Sequence, residues 1–275
     1  MGRTPGRCTG RVGGKRDVAD GHPEWPRPGD RVVLESSTRL TPRCTLVAAD
    51  SAYSLTAVVT SQAERARNAQ ASYPDTLLIP TAEEMFARID SRELELDLVV
   101  LGTPPGTHKN LALEAFRRKL AVVVDKPVVP ASTDAEELIS TAADEGVSLT
   151  VFQNRRWDGD FLTLRRLIED GELGDVHTFE SRFEWWMPEG FGNWRGEASL
   201  NEGGGILHDL GAHLIDQAIE LFGPVVDVYG EISRFDSARS DADQAAFVSL
   251  LHESGTRSRL WMNSHAPQQG PASKS

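Results

Sequence analysis

Leu96–Leu101 has the sequence LDLVVL, and the next apolar run, Leu120–Val124, has the sequence LAVVV. A turn, Thr103-Pro104-Pro105-Gly106, and a helical pattern from His108 to about Lys119 separate the two runs. Short, nearly continuous apolar runs that alternate with helices are typical of strands buried on both faces of a parallel sheet. This stretch therefore predicts a βαβ unit within an α/β fold.

The same alternation continues on both sides of this unit. Before it, Tyr53–Thr60 and Thr76–Ile79 are strand candidates, and Ser61 is placed to begin a helix as the N-cap of a capping box. After it, a helix over Asp134–Glu145 and a strand over Ser148–Phe152 follow. We therefore predict a parallel α/β domain over residues 46–150.

From residue 151 onward the hydrophobic pattern changes. A single helix is predicted over Ile206–Phe222, and four long strand candidates surround it: Val176–Trp186, Val225–Phe235, Ala245–His252 and Arg257–Met262. Long strands in succession predict a mostly antiparallel sheet that is open on one face. Residues 151–275 are therefore expected to form an α+β domain.

The composition excludes several classes of partner. The chain has 275 residues with 29 Lys+Arg against 41 Asp+Glu, a formal net charge of −12. An acidic chain is poorly suited to nucleic acid, because phosphate binding needs clustered Lys and Arg. No apolar run approaches the ~20 residues that span a bilayer, and no signal-peptide core is present. We expect a cytoplasmic protein without nucleic-acid or membrane partners.

Residues 1–45 differ in composition from the rest. They hold nine Lys+Arg, five Asp+Glu, seven of the 24 Gly residues and both cysteines, Cys8 and Cys44. A segment so rich in Gly, Pro and Arg buries little apolar surface. We therefore expect residues 1–45 to be an irregular basic tail.

One group of candidate site residues follows the apolar run LAVVV. Ligands of an open parallel sheet bind beyond the carboxyl ends of its strands. Asp125-Lys126-Pro127 comes directly after this run, so Lys126 is expected to project into the crevice at that edge. The alternative is a surface lysine held in a turn by Pro127.

A second group lies at residues 203–213, with the sequence GGGILHDLGAH. Three glycines allow the backbone to approach a ligand or another strand closely. Asp209 and His213 are four residues apart and share one helical face, so they are suited to proton transfer with an imidazole that titrates near neutrality. Two alternatives stay open: a buried polar pair that ties the helix to the sheet, and a metal site, for which no further ligand cluster is evident.

These motifs together resemble the Gfo/Idh/MocA oxidoreductases, which include glucose-fructose oxidoreductase and inositol dehydrogenases. The resemblance rests on TPPGTH at residues 103–108, DKP at 125–127 and the glycine-rich motif at 203–213, and it extends over roughly Leu46 to Met262. The stretch VFQNRRWDGDFLTLRR at 151–166 is similar to the NADP-linked scyllo-inositol dehydrogenase branch. The resemblance implies a Rossmann domain for NAD(P), an open-sheet second domain, and hydride transfer at a carbon of a sugar or cyclitol.

The resemblance also implies roles for individual residues. Lys126 would orient the substrate hydroxyl and touch the nicotinamide ribose, Asp209 would complete the catalytic set, and His213 would be the acid or base. The remaining positions that the resemblance places at the cofactor or beside the substrate are Thr103, Pro104, His108, Asp125, Asn154, Arg155, Trp194 and Arg195.

The choice of dinucleotide depends on the residues after the strand at Tyr53–Thr60. NAD enzymes usually place a carboxylate there for the ribose 2′-hydroxyl. Here Thr60, Ser61 and Gln62 offer hydroxyls and an amide, and Arg65 and Arg67 follow. This set favours NADP, with NAD as the alternative.

The sequence departs from the family pattern at both ends. No strand with a G-x-G-x-x-G turn precedes Tyr53, and the nearest candidate, Gly10–Gly14, follows no strand pattern. The chain also stops at Ser275, before the later strands and closing helix of the pattern. We therefore expect a Rossmann-like domain that is incomplete at its N-terminus and a truncated second domain. We hypothesise that residues 1–45 are a frame-shifted or misassigned start.

Two functional interpretations result from these departures. The first is a dehydrogenase of the family, and the second is a non-catalytic member that keeps Lys126 and His213 but does not hold the dinucleotide. With either one, the open sheet face is expected to support a homo-oligomer.

Overall fold

The computed structural model describes residues 30–36, 41–187, 198–235, 240–266 and 273–274. In the first part of the chain, strands alternate with helices. The strands are β1 Asp30–Ser36, β2 Tyr53–Val59, β3 Leu77–Ile79, β4 Leu98–Gly102, β5 Ala121–Asp125 and β6 Leu149–Phe152. The helices are α1 Thr41–Ala49, α2 Ala63–Ser72, α3 Ala82–Asp90, α4 Pro105–Arg117 and α5 Ser132–Glu145.

The six strands form one parallel sheet in the order β3-β2-β1-β4-β5-β6. β4 is buried along its whole length, as its unbroken apolar sequence predicts. Val99 and Leu101 belong to a core shared with α3, α4 and α5, whereas Val100 belongs to a second core on the other face, with α1 and α2. Full burial of each such side chain contributes about 1.5–3 kcal/mol to folding. The predicted parallel α/β sheet is confirmed.

β1 corrects the prediction for the first 45 residues. It lies between β2 and β4 at the centre of the sheet, with Val32 and Val33 fully buried on its opposite faces. The expectation of an irregular segment is therefore wrong for residues 30–36, where a strand precedes Tyr53, and α1 extends the correction to 41–45. Averaging the composition over 45 residues concealed the short apolar run in β1. Residues 1–29 lie outside the described part of the chain.

An ion pair fixes the start of β1 beside the start of β4. The backbone N–H and Nε of Arg31 donate to Oδ2 of Asp97, at 2.8 and 3.0 Å. Glu95 contacts the same guanidinium group. The hydrogen bonds from Arg31 are the main cause that lowers the pKa of the Asp97 carboxyl below its usual range. This pair aligns the two central strands at their amino ends.

The predicted capping box at Ser61 is wrong. β2 ends at Val59, and the N–H of Thr60 donates to the carbonyl oxygen of Ile79 at 2.9 Å. The chain therefore turns later than predicted, and α2 begins at Ala63 after Gln62, whose side chain makes no capping hydrogen bond.

The second part of the chain forms a five-stranded sheet. Its strands are β7 Thr178–Glu184, β8 Val225–Ser233, β9 Ala245–His252, β10 Arg257–Asn263 and β11 Ser273–Lys274, in the order β11-β7-β10-β9-β8. Among the described strands of this second sheet, only β7 and β10 pair in parallel, so the prediction of a mostly antiparallel sheet is confirmed. The described residues of this part include two α-helices, α6 Gly159–Glu169 and α7 Ala212–Phe222.

The predicted single helix over Ile206–Phe222 is divided into two parts. Leu207–Gly211 forms one π-helical turn, and α7 continues from Ala212. A Cβ on Gly211 would lie 2.7 Å from Cδ1 of Leu207 and 3.2 Å from Cε of Met262. Close packing of this turn on β10 therefore accompanies the wider helical geometry, which is frequent at functional sites.

The core of the second part lies between α7 and one face of its sheet. Leu214 on α7 and Leu260 and Met262 on β10 are almost fully buried there. The opposite face carries Arg182, Phe247 and Trp261, with the guanidinium carbon of Arg182 3.8 Å from the Trp261 ring centroid. Within the described residues, no helix has the length and apolar character needed to cross a bilayer.

Candidate active site

The two parts of the chain meet at an ion pair between Lys126 and Asp209. Lys126 follows the last residue of β5, at the carboxyl edge of the first sheet, and Asp209 lies in the π-helical turn. Nζ of Lys126 donates to Oδ1 of Asp209 at 2.8 Å and also to the Asp209 carbonyl oxygen. The two side chains are 10% and 17% exposed, so the alternative of a surface lysine is wrong.

His213 lies one turn beyond Asp209, on α7, and is buried. Within the described residues, its Nδ1 has no hydrogen-bond partner. Burial lowers the pKa of the imidazole to about 3, and the positive charges of Lys126 and Arg155 add to this effect. The near-neutral titration expected from the sequence is therefore wrong for the ligand-free protein, because the sequence does not show burial or the two cations.

A buried neutral imidazole beside a fixed ammonium group can accept a proton and can orient a hydroxyl group. The carboxylate of Asp209 accepts a hydrogen bond from Lys126. Asp209 therefore fixes the position of the ammonium group and is not an independent proton acceptor. Among the described residues, no group of three or more His, Cys, Asp or Glu side chains is placed to hold a metal ion.

The three glycines at 203–205 approach other parts of the protein. A Cβ on Gly203 would lie 2.8 Å from Cβ of Pro105, and one on Gly204 would lie 2.1 Å from the carbonyl oxygen of Ala198. A Cβ on Gly205 would lie 2.1 Å from Oδ1 of Asp243. The three positions therefore need glycine because other parts of the protein pack closely against them. Backbone contact with a ligand is not needed to explain these glycines.

Asp243 is a residue that the sequence motifs missed. Its Oδ2 accepts from the N–H of Leu207 at 2.8 Å, and its carbonyl oxygen accepts from the N–H of Ile206 at 3.1 Å. The carboxyl group is buried, which is the main cause that raises its pKa. Asp243 therefore holds the start of the segment that carries Asp209 and His213. Asp243 lies 36 positions after Leu207, so no local sequence signal marks it.

The predicted cofactor residues at the ends of β2 and β4 line one cavity. It has a volume of about 520 Å³ and lies at the carboxyl edge of the first sheet. Thr60, Ser61, Thr103 and Pro104 all line it, as do several residues that the sequence did not single out as cofactor-binding: Gly106, Thr107, Asn110, Pro80 and Glu83. Arg65 also lines this cavity, which brings one cation to the hydroxyl-rich end of β2.

His108 does not line this cavity. Its side chain is 1% exposed and lies in the first turn of α4, where both ring nitrogens contact backbone carbonyl oxygens. Asp125, the last residue of β5, is half-buried next to Lys126. The structure thus places His108 behind the loop that the sequence predicted to border the cofactor.

The segment after β6 brings Arg155 toward the site. Asn154 and Arg155 lie on a short 3₁₀-helix, where Asn154 is exposed. Nη1 of Arg155 donates to Asp158 at 2.9 Å, and the guanidinium carbon is 4.7 Å from the ring centroid of Phe183. Trp194 and Arg195, also predicted to lie near the cofactor and substrate, fall outside the described residues.

Arg156, next to Arg155, connects this 3₁₀-helix to α7. Its Nε and Nη2 donate to the carboxylate of Asp216 at 2.8 and 2.5 Å, and Glu220 accepts from its Nη1 at 3.1 Å. Asp216 lies one turn after His213 on the same helix. No sequence motif marks this bidentate pair, which fixes α7 against the end of the first sheet.

A parallel sheet with a cavity at its carboxyl edge, joined to a second part whose π-helical turn and α7 supply an aspartate and a histidine, is typical of a two-domain nucleotide-binding protein. Family comparisons agree with this class. The NAD-binding Rossmann-fold domain of the oxidoreductase family matches residues 41–153, and the GFO/IDH/MocA C-terminal domain matches residues 161–273. The chain belongs to the Gfo/Idh/MocA family.

Individual relatives support the same assignment. The scyllo-inositol 2-dehydrogenase (NADP(+)) IolW of Bacillus subtilis is 30% identical over 80% of this chain and 58% of its own length. A D-apiose dehydrogenase of Paraburkholderia graminis is 30% identical over 60% of this chain and 43% of its own. The solved structure of an NAD-binding protein from Listeria innocua is 26% identical to this chain, with a TM-score of 0.77. The match covers 89% of this chain and 69% of the Listeria chain. The chain spans about half the length of the curated relatives it matches.

Proposed function

We propose that this protein is an NADP-dependent dehydrogenase that acts on a secondary alcohol of a sugar or cyclitol, in the cytoplasm. The observation that carries the proposal is the meeting of Lys126, Asp209 and His213 at the junction of the two sheets. Among the relatives, IolW is described as an NADP-linked scyllo-inositol dehydrogenase and others as D-apiose dehydrogenases, which supports a polyhydroxylated substrate.

The residues at the carboxyl edge of the first sheet fit a dinucleotide. A cavity of about 520 Å³ offers the hydroxyl groups of Thr60, Ser61 and Thr103 as hydrogen-bonding groups. The side chain of Arg65 would pair with a 2′-phosphate, and the end of β2 carries no carboxylate that would bind a 2′-hydroxyl instead. Glu83, at the start of α3, lines the same cavity and reduces its net positive charge. We infer a preference for NADP over NAD from this set.

The chain's own side chains supply the proton chemistry. A bound nicotinamide dinucleotide would supply the hydride acceptor or donor. Lys126, fixed by Asp209, would donate a hydrogen bond to the reacting oxygen and stabilise the negative charge that develops on it. His213 has an unpartnered Nδ1 within the described residues, so it would bind the reacting hydroxyl and accept its proton on oxidation. Its lowered pKa favours return of that proton on reduction.

A titration with NADPH tests the dinucleotide site. We expect saturable binding, followed by tryptophan fluorescence, with a Kd in the micromolar range and weaker binding of NADH. Arg65→Ala should weaken NADPH binding by roughly tenfold, since a charge-assisted hydrogen bond is worth about 1.5–3 kcal/mol, and should leave NADH binding unchanged. Arg67→Ala is the matched control, because Arg67 is exposed and does not line the cavity. Equal effects of both variants on NADPH would refute the proposed phosphate contact.

One sequence feature favours a second function, a non-catalytic family member. The residues between β1 and α1, Ser37-Thr38-Arg39-Leu40, include no glycine. Glycines in this turn let the backbone approach a pyrophosphate in Rossmann domains. Absence of NADPH and NADH binding, in a protein that still binds a sugar or cyclitol by calorimetry, would support this alternative and refute the dehydrogenase.

We also propose that two copies of the chain associate through the open face of the second sheet. Arg182 and Arg259 alternate on this face with Glu180 and Glu184, so a two-fold arrangement brings opposite charges together. Aromatic rings extend across the same face, with centroids of Phe247 and Trp261 5.0 Å apart. In analytical sedimentation, the wild type should be a dimer and Trp261→Glu should be a monomer. A wild-type monomer at 50 μM would refute the interface.

A further inference from the structure

His108 contacts two loops that belong to different strands of the first sheet. Its Nδ1 is 2.9 Å from the carbonyl oxygen of Val128 and 3.2 Å from that of Pro127. Its Nε2 is 2.9 Å from the carbonyl oxygen of Thr103. The imidazole therefore bridges the loop after β4 and the loop after β5.

Each of these loops carries one half of the proposed site. Thr103 and Pro104 line the cavity at the carboxyl edge, and Pro127 and Val128 directly follow Lys126. A carbonyl oxygen accepts hydrogen bonds only, and a neutral imidazole carries a single N–H. Burial lowers the pKa of His108, so the ring is neutral near pH 7 and donates to one loop only. We assign the N–H to Nδ1, which faces the carbonyl oxygens of Pro127 and Val128, whereas α4 itself connects His108 to the loop after β4. A buried carbonyl that loses its donor costs roughly 1–3 kcal/mol, which favours the bond between His108 and the Lys126 loop.

We propose that His108 is a positioning residue that fixes Lys126 relative to the cavity at the carboxyl edge of the sheet. His108 acts through the backbone at Pro127 and Val128 and touches no reacting group. The inference rests on the proposed function only in giving Lys126 a catalytic role. The same contact makes the Lys126 loop and the cavity loop move together.

Three substitutions separate positioning from the filling of space. Asn places an amide N–H close to the position of Nδ1 and can keep the bond to the Lys126 loop. Gln reaches one bond further, close to Nε2, and would donate to Thr103 instead of to the Lys126 loop. Phe keeps most of the ring volume and donates to neither loop. If His108 positions Lys126, His108→Asn resembles the wild type at Lys126, whereas His108→Gln and His108→Phe do not.

The readout is the acetylation rate of Lys126 by acetic anhydride in the ligand-free full chain, measured by peptide mass spectrometry. Lys119, which is 64% exposed at the end of α4, is the internal reference. We expect the acetylation rate of Lys126 to rise about fivefold in His108→Gln and His108→Phe, because Asp209 then holds the Lys126 ammonium group less firmly. In His108→Asn the rate should rise less than about twofold. Because no cofactor or substrate is present, this result is independent of whether the protein turns over a sugar.

A matched control comes from another buried histidine. His252 is also 1% exposed and bonds through both ring nitrogens, to Gly223 and Ser258 in the second domain. His252→Phe should leave labelling of Lys126 at the wild-type rate. The proposal is overturned if the three His108 variants label Lys126 equally, if none differs from the wild type, or if His252→Phe raises the rate as much as His108→Phe.

Discussion

Nζ of Lys126 lies 2.8 Å from Oδ1 of Asp209, although 83 residues separate the two in sequence. Both side chains are mostly shielded from solvent. A buried ion pair adds little to the stability of the fold compared with an apolar pair of the same shape. Removal of one partner is destabilising, however, because it leaves an unpaired buried charge.

We therefore expect Lys126→Met and Asp209→Asn each to lower the free energy of unfolding by about 3–5 kcal/mol. The double variant should lose less than the sum of the two single losses, because neither charge remains. Urea unfolding of the four proteins measures this coupling. Strict additivity would contradict the ion pair. A matched surface pair, Arg166 and Asp170, should show coupling below about 1 kcal/mol.

The catalytic roles predict a specific kinetic result. His213→Asn should lower turnover of a cyclitol or sugar substrate by about 100- to 10 000-fold, because the proton acceptor is lost. The Kd for NADPH should change by less than about threefold. His177→Asn, at an exposed histidine of the same domain, should behave as the wild type in both measurements. Turnover that is unchanged in His213→Asn would refute its role as the base.

The pKa of His213 also predicts how stability depends on pH. Because the pKa falls from 6.5 to about 3 on folding, the unfolded state binds more protons between these values. His213 therefore contributes stability above pH 6.5 that is lost as the pH falls, by at most roughly 1.4 kcal/mol per pH unit.

Urea unfolding at pH 7.5, 6.0 and 5.0 tests this dependence. The wild type should lose more stability than His213→Asn over this range, because only the wild type must keep a buried imidazole neutral. Parallel curves for the two proteins would mean that His213 is not shielded as the structure describes.

Gly203 allows a comparison between close packing and backbone strain. Gly203 and Gly146 both have left-handed backbone conformations, with φ of 82° and 66°. A Cβ on Gly146 would meet nothing within 4 Å, whereas one on Gly203 would meet Pro105. Gly146→Ala should cost about 1 kcal/mol, and Gly203→Ala about 2–3 kcal/mol. Gly203→Ala should also weaken NADPH binding, because Pro105 adjoins the cavity loop. Equal losses in thermal unfolding would exclude the contact with Pro105.

The assignment of β1 can be tested at Val33. Val33 is fully buried in the first core, and Thr has nearly its shape but adds a hydroxyl group. Val33→Thr should lower the free energy of unfolding by about 1–3 kcal/mol. Ile139→Thr, at a position that is 63% exposed, should change it by less than about 0.5 kcal/mol. A negligible effect at Val33 would mean that residues 30–36 are not part of the folded sheet.

The sequence predicted most of the architecture because buried parallel strands have a continuous apolar pattern. β4 and β5 are the clearest examples, and Lys126 follows from its place at the end of β5. β1 was missed because its three apolar residues lie within a basic, Gly-rich composition. The π-helical turn was missed because the spacing of Asp209 and His213 fits an α-helix equally well.

Partners from distant parts of the chain were beyond prediction. The bonds of Asp243 to the start of the π-helical turn, and those of His108 to Thr103 and Val128, depend on tertiary packing. Local patterns do not encode such contacts. The sequence therefore placed His108 correctly at the start of a helix, but the resemblance assigned it to the loop that borders the cofactor.

The contact between Gly203 and Pro105 has a consequence for protein engineering. A chimera that exchanges the second domain for that of another family member, with its junction near residue 153, would place a foreign glycine-rich segment against the native loop at Pro105. The graft is therefore compatible only if the donor also supplies a residue without a side chain at this position.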